Sequence, residues 1–101
     1  MSNNDDIQSL EWSLWLDFDH TNIGNIPESE GVYKLHASMR ILVIGSGKNL
    51  RQSLTQDLAN PCIRKGARFS YAVTESADSV RENLLTEYRD KHDGKLPLLM
   101  E

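Results

Sequence analysis

The sequence has a single cysteine, Cys62, so no disulfide can close within the chain. A reducing cytoplasm is the compartment that this usage suggests. No apolar run approaches the roughly 18 residues of a membrane span, so no membrane partner is expected. The opening Met1-Ser2-Asn3-Asn4-Asp5-Asp6 has neither the basic nor the apolar stretch of a signal peptide. His20, His36 and His92 have no Cys or His at ligand spacing, which leaves a zinc site without support. Gly47-Lys48 resembles the end of a phosphate-binding loop. The full pattern needs a Gly where Leu42 stands and a Ser or Thr where Asn49 stands, so an NTPase is excluded. Cys62 has no neighbouring signature of an activating base and reads as a small semi-buried side chain. Repeats and low-complexity stretches are also lacking.

What is present fits one soluble globular domain: 101 residues, 39% hydrophobic and 26% charged. The net charge of -4 is unevenly spread. Residues 1–30 hold seven acids and neither Lys nor Arg. Residues 34–68 hold seven bases and one acid, Asp57. Binding responds to local potential rather than to the total, so a nucleic-acid partner stays open despite the acidic pI.

The first six residues read as disordered. Leu10 to Phe18 carries both tryptophans. Its alternation suggests a strand or extended arm that Trp15 interrupts, and side chains this large must dock, here on the domain's own core. Asp19-His20-Thr21-Asn22 can cap a short helix. Gly31–His36 and Arg40–Ile44 read as an antiparallel hairpin at the centre of the sheet, joined tightly through Ala37-Ser38-Met39. Gly45-Ser46-Gly47 breaks the second strand. Leu50, Leu54 and Leu58 form one stripe of a helix over 48–59, ended by Asn60-Pro61. Ala67 to Thr74 alternates as a third strand, with Phe69, Tyr71 and Val73 on one face. A last helix opens at Asp78 or Ser79, buries Val80, Leu84, Leu85 and Tyr88, and ends near Gly94, ahead of Pro97. The fold class is α+β: a three-stranded antiparallel sheet flanked by helices. Residues 1–25 form an acidic N-terminal extension, and 26–101 form the domain.

Gly31-Val32-Tyr33, a hairpin, and then Val43-Ile44-Gly45-Ser46-Gly47-Lys48-Asn49-Leu50-Arg51 resemble the GIY-YIG nuclease superfamily. In that family two paired strands carry those tripeptides, and a helix follows. Ile26-Pro27-Glu28-Ser29-Glu30 resembles the family's lead-in. Asn60-Pro61-Cys62-Ile63-Arg64-Lys65, and Leu84-Leu85-Thr86-Glu87-Tyr88 through Gly94-Lys95-Leu96-Pro97, are similar to small stand-alone members. The likeness covers residues 10–101 and implies metal-assisted phosphodiester hydrolysis. In such enzymes a carboxylate holds the divalent cation, two tyrosines position or activate water, a helical arginine stabilises phosphate charge, and a late asparagine supports the site.

Carried over residue by residue, the first tyrosine is Tyr33. The second falls on Val43, the arginine on Ser53, the metal-binding glutamate on Arg81 and the asparagine on Met100. A one-residue shift would put Glu82 in the metal position, at the cost of the register with Leu84-Leu85. Arg81 repels a cation. Losing one charge-stabilising donor alone adds about 3–4 kcal/mol to a barrier. Arg51 lies two residues from Ser53, about 200° round the helix, and points elsewhere. The resemblance therefore implies a catalytically inactive domain without a metal or other cofactor. Two roles fit it. In one it binds DNA or RNA through Lys48, Arg51, Arg64, Lys65 and Arg68, by phosphate contacts. In the other it is a protein-interaction module that docks an unidentified protein on a semi-apolar patch of Tyr33, Val43 and Met100. The alternative is an active Mg-dependent endonuclease with relocated residues.

Overall fold

A computed structural model describes residues 10–37, 40–63 and 66–100. The expected disorder of the first six residues and the Ser38-Met39 connection lie outside these, as do Arg64 and Lys65. The elements in chain order are β1 (Leu16–Asp17), α1 (His20–Gly24), β2 (Gly31–Ala37), β3 (Arg40–Gly47), α2 (Leu50–Leu58), β4 (Arg68–Val73) and α3 (Ala77–Lys91). A 3-10 turn, Leu98–Met100, closes the described chain.

One antiparallel sheet of order β1-β4-β2-β3 organises the molecule. It has four strands where the sequence predicts three. The fourth comes from the N-terminal segment, in which Leu16 pairs with Phe69 and Asp17 with Arg68. Further bonds run from Ser13 N–H to the Tyr71 carbonyl (2.9 Å) and from Phe18 N–H to the Ala67 carbonyl (3.0 Å). Leu10 and Trp12 pack on one face of the sheet, whereas Leu16 and Phe18 pack on the other. The broken alternation around Trp15 is thus the pattern of a segment that crosses the sheet edge and serves both faces.

Period-2 geometry divides the side chains of β2 between the two faces. Tyr33, Leu35 and Ala37 join Phe69, Leu50 and Leu54 beneath α1 and α2. Val32 joins Ile44, Ala72, Val80, Leu84 and Leu85 beneath α3. β2 is central, but β3 is an edge strand, so the hairpin is not central as a unit. A bulge between Leu35 and His36 lets Leu42 and Val43 both pack towards α2, while Ile41 turns to the α3 face.

β3 does not break at Gly45-Ser46-Gly47. It continues through Gly47, which pairs with Gly31. These glycines permit close approach rather than a turn. A Cβ at Gly45 would lie 2.6 Å from the Tyr33 hydroxyl, and one at Gly47 would fall on Ser53 Oγ. Asp19 accepts from Asn22 N–H (2.8 Å) to cap α1, and Asn49 accepts from Gln52 N–H (3.1 Å) to cap α2. α3 starts at Ala77, slightly before the expected Asp78 or Ser79, with no side-chain cap. It ends where Gly94, at φ 82°, donates its N–H to the Arg89 carbonyl (2.8 Å). Cys62, expected to be semi-buried, is exposed.

Candidate functional site

The register places Tyr33 opposite Gly45 on one side and Tyr71 on the other. With no side chain at Gly45, the Tyr33 ring lies across β3 and reaches α2. There its hydroxyl donates to Asp57 Oδ2 at 2.6 Å. Only 6% of Tyr33 is exposed. Burial drives its phenol far above its ordinary pKa, and the bond to Asp57 and that carboxylate's charge add to the rise. The nearby Arg81 guanidinium opposes it. Burial also pushes the Asp57 carboxyl up, while the Tyr33 hydrogen bond holds it down. A phenol so reluctant to ionise is no source of a tyrosinate base.

The other positions that the nuclease resemblance singles out lie around the same stretch of β3. Val43 is half-buried on the α2 side, two residues from Gly45. Ser53 Oγ packs over Gly47, one helical turn before Asp57. Arg81 and Met100 approach from the free edge of β3. Arg81 Nε donates to the Ile44 carbonyl (3.4 Å), and Met100 Sδ accepts from the Ile44 N–H (3.4 Å).

This neighbourhood does not fit a divalent cation. Arg81 brings a positive charge to it. Glu82 sits on the exposed side of α3 and pairs with Arg81 at 3.3 Å. Of the other carboxylates that reach this stretch, Asp57 is committed to Tyr33 and Asp78 to the Ser46 hydroxyl at 3.0 Å. Among the described residues, no three His, Cys, Asp or Glu side chains gather where they could hold a metal.

The basic residues singled out from sequence are dispersed. Lys48 is exposed in the turn after β3. Arg68 begins β4, where it pairs with Asp17 at 3.6 Å. These lie at opposite ends of the sheet, about 20 Å apart along the strands. Arg51 is internally engaged: Nε and Nη2 donate to the Ile26 carbonyl (3.1 and 2.8 Å), and Nη1 pairs with Glu28 (2.7 Å).

Positive charge gathers instead on the α3 face, at the hairpin end of the sheet. Lys34 Nζ lies 4.5 Å above the Trp12 ring. Two residues along β2, His36 meets Trp15, with ring centroids 5.1 Å apart. Across from them the Tyr88 and His92 rings stack at 3.8 Å and 10°. Lys34, Ile41, Tyr88, Lys91 and His92 line one shallow groove, with Glu87 its carboxylate. Arg40, Lys95 and Leu96 line a second groove on the other side of the same Tyr88–His92 stack. Burial lowers the Lys34 pKa, Glu87 counters this, and Lys91 adds to it.

Residues 10–91 match the model of a family described as a domain of unknown function, DUF7508. The chain belongs to that family. No curated protein and no solved structure matches the chain. The DUF7508 span takes in all four strands and the three helices, together with Trp12, Trp15, Lys34 and Tyr88. It ends before His92, Lys95 and the 3-10 turn that carries Met100.

Two groups in this geometry escaped the sequence reading. Asp57 was visible as the lone acid in a basic stretch, at helical spacing from Ser53, but nothing in sequence pairs it with Tyr33, 24 residues away. The Lys34–His36 alternation and the Tyr88–His92 spacing of four place each pair on one face. Only the sheet topology brings the two pairs together. Among the described residues no helix is long and apolar enough to cross a membrane.

Proposed function

We propose that the chain is a GIY-YIG-like domain that does not cleave and that binds nucleic acid. The observation that carries the reading is that Tyr33, Val43 and Ser53 on the α2 side, and Arg81 and Met100 at the free edge, all adjoin residues 43–47 of β3. A nuclease of that class would need a carboxylate, a second hydroxyl and a phosphate-binding arginine there. A guanidinium, an isopropyl group and a small hydroxyl stand in their places. The remaining tyrosine spends its hydroxyl on Asp57. Such a site can neither hold a cation nor activate water, so what remains to the domain is recognition. The cluster of Lys34, Arg40, Lys91 and Lys95 supports a polyanionic partner over an unidentified protein.

Incubation with linear and branched DNA and with RNA, in Mg²⁺ or Mn²⁺, is expected to leave every substrate intact. At low ionic strength the same substrates should show a salt-sensitive mobility shift. Cleavage that disappears in Tyr33→Phe would instead establish an active metal-dependent endonuclease.

A further inference from the structure

We infer that the hairpin end of the α3-facing sheet surface is a binding site for single-stranded nucleic acid. The inference rests on the nucleic-acid reading above and assigns that binding to a place and a strandedness. The site lies on the face of the sheet opposite Tyr33 and Asp57, and away from Lys48 and Arg51.

Two features select a single strand. The first is alternation of ring faces with cations. Trp15, 45% exposed, lies against His36, while Tyr88 and His92 form a second stack across the groove. Lys34 and Lys91 lie along that groove. Arg40 and Lys95 continue the positive charge past the Tyr88–His92 stack. Lys34 and His36, two residues apart on one strand face, are separated by roughly 7 Å. Bases can use ring faces only when they are unstacked, so a duplex would engage the cations alone.

The second feature is rigidity. His92 Nδ1 lies 2.8 Å from the Tyr88 carbonyl. A carbonyl only accepts, so Nδ1 carries the proton and the ring is pinned over Tyr88. Trp12 is half-buried against the cluster beneath α3 and carries Lys34 above its ring. Platforms fixed in this way require little ordering when a flexible strand arrives. Glu87 is the carboxylate of the groove lining, and Asp90 and Asp93 lie exposed nearby, so affinity should be modest and strongly salt-dependent.

The test is an anisotropy titration of the full chain with labelled oligo(dT), oligo(U) and a duplex of equal length, about 12 residues each, in about 50 mM salt. Single strands should bind more tightly than the duplex. With four phosphate contacts, the logarithmic salt slope should be near -3, about 0.7 per contact. Trp15→Ala should weaken single-strand binding roughly five- to hundredfold, the range of one lost base–aromatic stack. Lys91→Glu with Lys95→Glu should weaken it at least as much. Both sets of positions are solvent-exposed, and thermal melts would verify that these variants fold. Lys48→Glu should bind as the parent does. Single-strand binding that survives Trp15→Ala and the double charge reversal but falls with Lys48→Glu overturns the surface assignment and leaves the nucleic-acid reading intact. Equal or tighter duplex binding overturns the strandedness. No binding of any probe overturns both the inference and the reading beneath it.

Discussion

Replacing Tyr33 by Phe removes one oxygen from a nearly buried ring and leaves Asp57 Oδ2 without its donor at 2.6 Å. A hydrogen bond to a charged group contributes about 1.5–3 kcal/mol. Asp57 is half-exposed, so water recovers part of the loss and the lower half of that range applies, about 2 kcal/mol at pH 7. In a domain of this size that lowers Tm by roughly 8–16 °C. The pH dependence identifies the partner. The Asp57 carboxyl is raised in the folded protein, chiefly by burial, so its stability contribution is fully present below the unfolded carboxyl value and lost as pH rises through the folded one. The Tyr33 bond limits that rise. Without it the folded value climbs further, so the difference between parent and variant widens through the acid range and is full at neutral pH. Near pH 3 Asp57 is protonated in both proteins, and the difference should shrink to about 1 kcal/mol or less, as for a neutral hydrogen bond. Urea titrations at pH 3, 5 and 7 measure this. A neutral Tyr33→Phe at pH 7, or an equal loss at all three values, refutes the assignment of the pair.

Two further perturbations probe groups that the sequence assigned differently. Arg51→Ala should cost about 1–3 kcal/mol in equilibrium unfolding, because the Ile26 carbonyl loses two donors, while nucleic-acid affinity stays unchanged. Arg51→Lys should fail to restore stability, since an ammonium cannot reproduce the fork. Gly45→Ala should cost about 1–3 kcal/mol by forcing the Tyr33 ring off its seat, and Tyr33→Ala in the same chain should relieve much of that strain, visible as coupling in a double-mutant cycle.

Much of the fold was legible because it rests on local patterns. The Leu50-Leu54-Leu58 stripe, the alternation of β4 and the cap at Asp19 each depend on spacing within one segment. The misreadings all concern close approaches between segments. Gly45 and Gly47 look like breakers until the Tyr33 ring and Ser53 are laid over them. Leu10 to Phe18 looks aperiodic until the edge of β4 divides it between two faces. Arg51 looks like a phosphate contact until the Ile26 carbonyl, 25 residues earlier, takes its fork. The aromatic and basic surface is assembled from four separate parts of the chain, so no single stretch announces it.

The free edge of β3 has a consequence for how molecules of this protein meet one another. An open strand edge is a template onto which another chain can add hydrogen bond by hydrogen bond. Here the outward N–H of Ile44 is occupied by Met100 Sδ, its carbonyl by Arg81 Nε, and the Ser46 hydroxyl by Asp78. At the far side of the sheet β1 is only two residues long. Neither margin offers an uninterrupted row for a neighbour. Protection of this edge therefore draws on Arg81, on Asp78 and on the Leu98–Met100 turn, so replacing Met100 would free the outward Ile44 N–H without touching the core strands.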